Sequence, residues 1–411
     1  MDALLPTLPD APPDNGQYLY PDFQGLDYYA IDDLLTDAQK GIRDDVRAFV
    51  SAEVTPIIEQ AAHEMVFPRH LAKEFGRLGV IGPSIPAEYG GRGLGGVEYG
   101  LMMQEVERGD SGLRSFCSVM GSLVMYPIWK YGSEEQRRRW LPDLARGEAI
   151  GCFALTEPNV GSNPQSMQTT VRRDGTGGWV LSGYKRWSTN ASEADVCVCW
   201  ARIDGTDEVV GVLVPMASTG VSAPRIGDKW SLRAAITSEI LFDDVRIADA
   251  DILPGVRGLK GPLSCLTQAR FGIAWGVVGA AMACYDAALQ HSKTRVQFGR
   301  PIGGFQLIQE RLADMVTGIT TAQLLNLRLA QMKDAGTMRP QQVSLAKRHN
   351  CRMALDVCRS ARQAVGGNGV LSMYPMMRHM MNLESVVTYE GTDEVHTLIV
   401  GQDVTGLNAF T

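Results

Sequence analysis

The chain has 411 residues, 45% of them hydrophobic and 21% charged, with a formal net charge of −7. That length can bury a large core divided over two or three regions of roughly 150 residues each. The acidic balance, without any basic run, excludes a nucleic-acid surface, and no 18-residue apolar stretch marks a membrane span.

Residues 1–33 read as an extended arm, because Pro6, Pro9, Pro12, Pro13 and Pro21 punctuate it. Eight aspartates precede the first basic residue, Lys40, whereas secretory and transit segments need early positive charge. A soluble cytoplasmic protein is the expectation.

Residues 34–150 read as helical. Thr36 with Gln39, and Ser133 with Gln136, have the spacing of capping boxes. Ile42, Val46, Phe49 and Val50 fall on one helical face. In "EVERGDSGLRSFCSVMGSLVM" (105–125), Leu113, Phe116, Cys117, Met120 and Val124 form a core stripe. Arg114 and Ser118 are four apart and lie off it, either on an exposed side or holding a carboxylate, which a guanidinium fork matches. Glu107 and Ser111 extend that line if the helix continues through Gly109 and Gly112. Gly91 to Gly96 satisfies GxGxxG, but two prolines precede it and no apolar-faced helix is evident after it, so a loop is expected.

Residues 151–257 change to strand texture. The runs 178–183, 195–203, 209–215 and 238–247 are short and β-rich, with Asp174-Gly175 and Asp204-Gly205 in the connections. With no helices between them, an antiparallel sheet or barrel is predicted. Cys197 and Cys199 alternate along one strand face, and none of the eight cysteines forms a CxxC, so neither a metal site nor a disulfide framework is expected. Within "FALTEPNVGSN" (153–163), Thr156, Gly161 and Ser162 either make a plain loop or let backbone approach a phosphate or cofactor chain. "RWSTN" (186–190) offers Trp187 for ring packing and Thr189 for a hydrogen bond.

Residues 258–411 return to the helical period, with long amphipathic segments at 305–336 and 344–369. "RVQFGRPIGGFQ" (295–306) sets Arg295, a candidate phosphate partner, beside Phe298. Near the end, "TYEGTDEVH" (388–396) places Glu390 just outside a helix that Thr392 can cap. Glu390 is either a solvated turn acid or a carboxylate aimed into a cleft as a general base.

Taken jointly, "LTEPNVGS", "ARFGIAWGVVGA", "QFGRPIGGFQLIQ", "GGNG" and "YEGTDEVHTLIVG" resemble the acyl-CoA dehydrogenase family from about residue 28 onward, and its glutaryl-CoA dehydrogenase subgroup most. The resemblance implies an α+β fold: an N-terminal helical domain, a middle β-barrel or sheet domain and a C-terminal four-helix bundle, assembled as a homotetramer with FAD. It implies that Glu390 is the catalytic base, taking the α-proton while hydride leaves the β-carbon for flavin N5. Phe153, Leu155, Thr156, Ser162, Trp187, Ser188 and Thr189 would then line the flavin. Arg295, Phe298, Gln306, Gln363, Gly366 and Gly367 would reach FAD from a neighbouring subunit, and Thr392 would cap a helix facing cofactor phosphate. On the substrate side stand Ser162, Arg270 and Gly391, with Glu107, Arg114, Ser115 and Ser118 toward the distal carboxylate of glutaryl-CoA. Oxidation and decarboxylation to crotonyl-CoA would follow, with electrons passing to an electron-transfer flavoprotein. The alternative is a dehydrogenase or oxidase for another short or branched acyl-CoA. Asn163, Ser188 and Asp393-Glu394 depart from the subgroup's pattern, and the loop "PAEYGGRGL" is closer to general acyl-CoA dehydrogenases.

Overall fold

The computed structural model describes residues 22–410, so the prolines of the expected arm lie outside the described residues. The chain opens on α1 (Asp37–Phe49), α2 (Ile58–Glu64), α3 (His70–Leu78), α4 (Gly96–Gly109), α5 (Ser111–Ser118), α6 (Tyr126–Tyr131) and α7 (Glu134–Ala145). Both capping boxes form: Thr36 Oγ1 accepts from the Gln39 amide at 3.2 Å, and Ser133 Oγ from that of Gln136 at 3.2 Å. Each cap satisfies an amide that the first turn would leave orphaned.

The stretch 105–125 is not one helix. Asp110 is extended (φ −164°), and its Oδ1 accepts from the Gly112 amide at 2.6 Å, so α4 stops and α5 starts anew. Glu107 and Arg114 therefore meet across a helix break, not along a continuous stripe. Helix α4 does open from the GxGxxG glycines and is buried almost all round, which corrects the expectation that no such helix follows. A 3-10 turn (Ala87–Tyr89) precedes it in place of a strand, so the dinucleotide-binding geometry is missing.

The strands are β1 (Gly151–Ala154), β2 (Thr170–Arg173), β3 (Trp179–Thr189), β4 (Val196–Ile203), β5 (Val209–Pro215), β6 (Val221–Ser222) and β7 (Thr237–Ile247). They form one sheet in the order β1-β4-β2-β3-β7-β6, with β5 also on β4. The sheet is mixed where an antiparallel one was predicted. β1 and β2 both lie parallel to β4, and the intervening strands provide the long crossovers that parallel pairing needs. In β3 the register against β7 slips between Lys185 and Ser188, with Trp187 at φ +64°. That bulge turns the Trp187 indole out of the ladder.

The C-terminal region contains α8 (Lys260–Thr294), α9 (Gln306–Asp334), α10 (Pro340–Val365), α11 (Met376–Val386) and α12 (Asp393–Thr405), with a small hairpin β8 (Val296–Gln297) and β9 (Arg300–Pro301) after α8. Helices α8 to α11 pack as a bundle, and α12 lies against α10. Helix α8 joins two cores: Phe271 and Trp275 pack with the N-terminal helices, Ile273 and Val277 with α9 and α10. An 18-residue window of α8 has a mean hydropathy of 1.4, which corrects the reading that no such apolar stretch exists. That window is 89% buried inside the fold, as a core helix is.

Candidate active site

The TYEGT corner joins α11 to α12. Thr392 caps α12, its Oγ1 accepting from the Val395 amide at 3.2 Å. Asp393 is held by Arg352. Before the cap the backbone turns through two left-handed residues, Glu390 (φ +54°) and Gly391 (φ +93°). A Cβ on Gly391 would sit 2.8 Å from His396 Nε2, so a side chain is excluded there. Glu390 is uncommon at positive φ, and the strain persists because the surroundings fix it. Its carbonyl accepts from Arg270 Nε at 2.6 Å. Lys347 Nζ donates to the carbonyls of Tyr389 and Gly391, both at 2.7 Å.

The Glu390 carboxylate is not a solvated turn acid: its Oε2 is buried and has no hydrogen-bond partner among the described residues. Burial pushes its proton affinity above the ordinary carboxylate range, against the opposing pull of Arg114, Lys347 and Arg270. A carboxylate with a free lone pair, a raised pKa and little water around it suits proton abstraction.

Arg114, on α5, is fully buried, which removes the exposed-side alternative. Its Nε donates to Glu107 Oε2 at 2.5 Å, and its Nη2 donates to the Tyr389 hydroxyl. Burial works against its charge, but Glu107 and Tyr389 more than offset that and hold the guanidinium firmly protonated. Gly276 of α8 makes room for this pair, since a Cβ there would lie 2.1 Å from Glu107 Oε2. Four polar atoms remain buried without a hydrogen-bond partner among the described residues: Arg114 Nη1, Ser118 Oγ, Ser111 Oγ and Glu107 Oε1. Orphaned donors are costly unless a ligand satisfies them. Ser115 is buried beside Arg114 in sequence, with no contact to the corner among the bonds described.

The two β-domain motifs come together. The Arg186 amide donates to the Thr156 carbonyl at 2.8 Å, placing the LTEP loop against the β3 bulge. Phe153 and Leu155 are buried at the end of β1, Ser188 is buried in β3, and Thr156 and Thr189 are half-buried. Trp187 is 54% exposed, an indole plate with one face open to a planar ring. Hydroxyl donors flank that plate, so these residues fit a flavin. Ser162 is exposed on the loop, and Asn163 Nδ2 donates to Ser166 Oγ at 2.8 Å, which ties the loop locally.

A third group lies apart on the surface. Arg295 ends α8, Phe298 sits at the hairpin tip 94% exposed, and Gln306 and Gln363 are exposed on α9 and α10. Gly366 ends α10 with φ +72°, and it and Gly367 are open, with nothing within 4 Å of a Cβ built on either. Among the described residues, no contact brings this group to Glu390.

Sequence reasoning missed several residues that shape the site. Lys347 and His396 flank the corner from α10 and α12. Lys185 Nζ, buried, donates to Leu155 O and pairs with Glu157, both at 2.9 Å, which fixes the LTEP loop from beneath. Arg378 Nη1 donates to Asp110 Oδ2 at 2.6 Å, and Asn382 Nδ2 to the same oxygen at 2.7 Å, so α11 anchors the break that orients Arg114. For Lys347 a signal existed: a lysine within a stripe of Val343, Ser344, Ala346, Cys351 and Ala354, all buried.

Family models of the acyl-CoA dehydrogenase N-terminal, middle and C-terminal domains match residues 36–148, 152–245 and 256–405. A mitochondrial short-chain specific acyl-CoA dehydrogenase of Bos taurus is 36% identical over 371 residues, 89% of this chain and 90% of the relative. The crystal structure of a glutaryl-CoA dehydrogenase from Mycobacterium smegmatis superposes with a TM-score of 0.90 at 48% identity, covering 93% of this chain and 98% of that one. A glutaryl-CoA dehydrogenase from the same organism, in complex with FADH2, superposes at 0.91 with 46% identity over the same shares. The chain belongs to the acyl-CoA dehydrogenase family.

Proposed function

We propose that this acyl-CoA dehydrogenase oxidises glutaryl-CoA and decarboxylates the product to crotonyl-CoA and CO2. The observation that carries the reading is the buried Arg114, with its Nη1 and the nearby Ser118 Oγ unsatisfied among the described residues. A carboxylate at the end of a short acyl chain would satisfy both, whereas a monocarboxylic acyl group would leave them orphaned.

Glu390 Oε2 takes the α-proton of the thioester. FAD is the cofactor, and when bound it supplies the acceptor for the hydride leaving the β-carbon. Trp187, Thr156 and Thr189 would hold that cofactor against the β domain. Arg114, with Glu107 behind it and Ser115 alongside, keeps the distal carboxylate in place, and Tyr389 ties this clamp to the base. Glutaryl-CoA loses a proton and a hydride to give glutaconyl-CoA. Cleavage of the bond to the carboxylate then releases CO2 and leaves a dienolate. Glu390, now protonated, returns its proton to give crotonyl-CoA. Arg270, Ser162 and Gly391 stand on the CoA side.

The exposed group of Arg295, Phe298, Gln306, Gln363, Gly366 and Gly367 suits contact with a second copy of the chain and its cofactor, in a homotetramer. An electron-transfer flavoprotein is the proposed acceptor. The test is an anaerobic single turnover with glutaryl-CoA, following flavin bleaching and the product's mass. Crotonyl-CoA with CO2 is expected. Glutaconyl-CoA alone would remove the decarboxylation step. Bleaching with butyryl-CoA but not glutaryl-CoA would favour the short-chain substrate named for the bovine relative.

A further inference from the structure

Lys347 is among the largest fully buried side chains of the protein, 1% exposed, and it makes no ion pair among the described residues. Burying an ammonium outside a direct ion pair is costly, and burial lowers its pKa to about 8 against the opposing pull of Cys351 and Glu390. Lysine is nonetheless placed there, on the face of α10 that looks at the TYEGT corner. Its Nζ bonds the carbonyls on either side of Glu390, those of Tyr389 and Gly391, while Arg270 bonds the carbonyl of Glu390 itself. Three consecutive carbonyls are thus gripped by two buried cations from two helices.

The conformation being gripped is one that glutamate does not hold readily. At φ +54° the backbone of Glu390 is left-handed, and relaxation to an ordinary φ would swing its carboxylate out of the pocket. Left-handed residues in active sites survive where neighbours over-determine them. The N-cap of Thr392 fixes the corner downstream and the Arg114–Tyr389 bond fixes it upstream, and Lys347 bonds the carbonyls on both sides of Glu390. The same ammonium is one of three positive charges acting on the Glu390 carboxylate.

We propose that Lys347 is the positioning residue of the base: it locks the left-handed corner through paired carbonyl bonds and holds a positive charge near the carboxylate. The proposal rests on Glu390 being the base. It needs no contact between Lys347 and substrate, because the residue acts through the backbone on both sides of Glu390. Groups facing Glu390 are Arg114 and Tyr99 from the N-terminal helices, with Glu107 behind Arg114, Arg270 from α8, Lys347 from α10 with Cys351 beside it, Tyr389 next in the chain and His396 from α12. His396 is neutral, its pKa pushed down to about 3 by burial and by Lys347 and Arg270, so it does not replace the lysine's charge.

The experiment uses the flavin-loaded protein and its variants Lys347→Met, Lys347→Gln and Glu390→Gln. Anaerobic flavin bleaching by acyl-CoA is followed from about pH 5 to pH 9, and the limiting rate is separated from the half-saturating substrate concentration. Lys347→Met removes both bonds and charge. It should lower the limiting rate by about 100-fold with little change in half-saturation, as a misplaced catalytic group does. Its acid limb should move up by about one pH unit, because an opposite charge near the carboxylate is lost. Lys347→Gln keeps amide donors without charge, so it should recover much of the rate yet retain the shifted limb. A purely structural role would lower flavin content or melting temperature and leave the limb where it was. Parent-like rate and limb in both variants would overturn the proposal. If Lys347→Met fails to fold, the limb of Lys347→Gln decides alone: an unshifted limb refutes the charge role and a shifted one supports it. Glu390→Gln separates the two readings. Bleaching at the parent rate in that variant would remove the base itself, whatever Lys347 does.

Discussion

The double variant Glu107→Gln/Arg114→Gln tests the substrate assignment directly. Arg114 Nε and Glu107 Oε2 lie 2.5 Å apart, and both side chains are wholly buried. Removing one charge alone would leave the other uncompensated and destabilise the fold by roughly 3–5 kcal/mol. Replacing both by amides keeps side chains of similar volume and removes that penalty, so the loss of substrate recognition can be read without a loss of folding. A hydrogen bond from a charged donor to the substrate carboxylate contributes roughly 1.5–3 kcal/mol, which is about 10- to 100-fold in kcat/KM. The expected result is a fall of that size for glutaryl-CoA and no fall for butyryl-CoA, which has no distal charge to lose. Stopped-flow bleaching with each substrate, with product mass for glutaryl-CoA, gives both numbers. If the ratio of the two substrates' kcat/KM stays that of the parent, Arg114 is not the carboxylate partner.

Other outcomes follow from the same geometry. Because burial raises the Glu390 carboxyl above its ordinary range, bleaching should rise with pH along a limb above the usual carboxylate values; a limb at those values would contradict the buried site. A raised folded-state pKa favours folding below the unfolded pKa, and that contribution is lost as pH rises through the folded value. Glu390→Gln should therefore melt higher than the parent at neutral pH and no higher in acid, which calorimetry at two pH values checks. Gly276→Ala places a Cβ 2.1 Å from Glu107 Oε2 and should cost about 1–3 kcal/mol, with slower glutaryl-CoA bleaching; an unchanged melting temperature would mean the site relaxes freely. Trp187→Ala, at an indole 54% exposed, should leave the apoprotein's stability alone but weaken flavin binding by about 1 kcal/mol, roughly fivefold in Kd. Thr392→Ala removes the cap of α12 and should destabilise by about 1 kcal/mol in thermal unfolding.

Much of the fold was legible because its signals are local. The two capping boxes, the short β-rich runs 196–203 and 209–215, and the glycine after Val365 each declare themselves within a few residues. The break at Asp110 was visible only as two suspicious glycines, since its cause is a side-chain cap reinforced by Arg378, 268 positions away. The parallel pairing of β1 and β2 with β4 was hidden for a similar reason: alternation reports which face is buried, not which neighbour lies alongside. Helix α8 escaped notice as a long apolar segment because interspersed glycine and polar residues break its apolar run, though it is buried on all sides.

The candidate site divides along the same line. The sequence by itself determined the helical, β, helical order, the glycine-hinged corner at Glu390 with its Thr392 cap, and the family resemblance carried by short phrases. Only the tertiary structure decided that Arg114 is buried rather than exposed, that its guanidinium reaches Tyr389 275 positions on, and that Lys347 and Arg270 grip the corner. The physical reason is range. Caps, turns and periodicity arise from neighbours along the chain, whereas burial, charge compensation and an orphaned donor depend on which distant helices pack together.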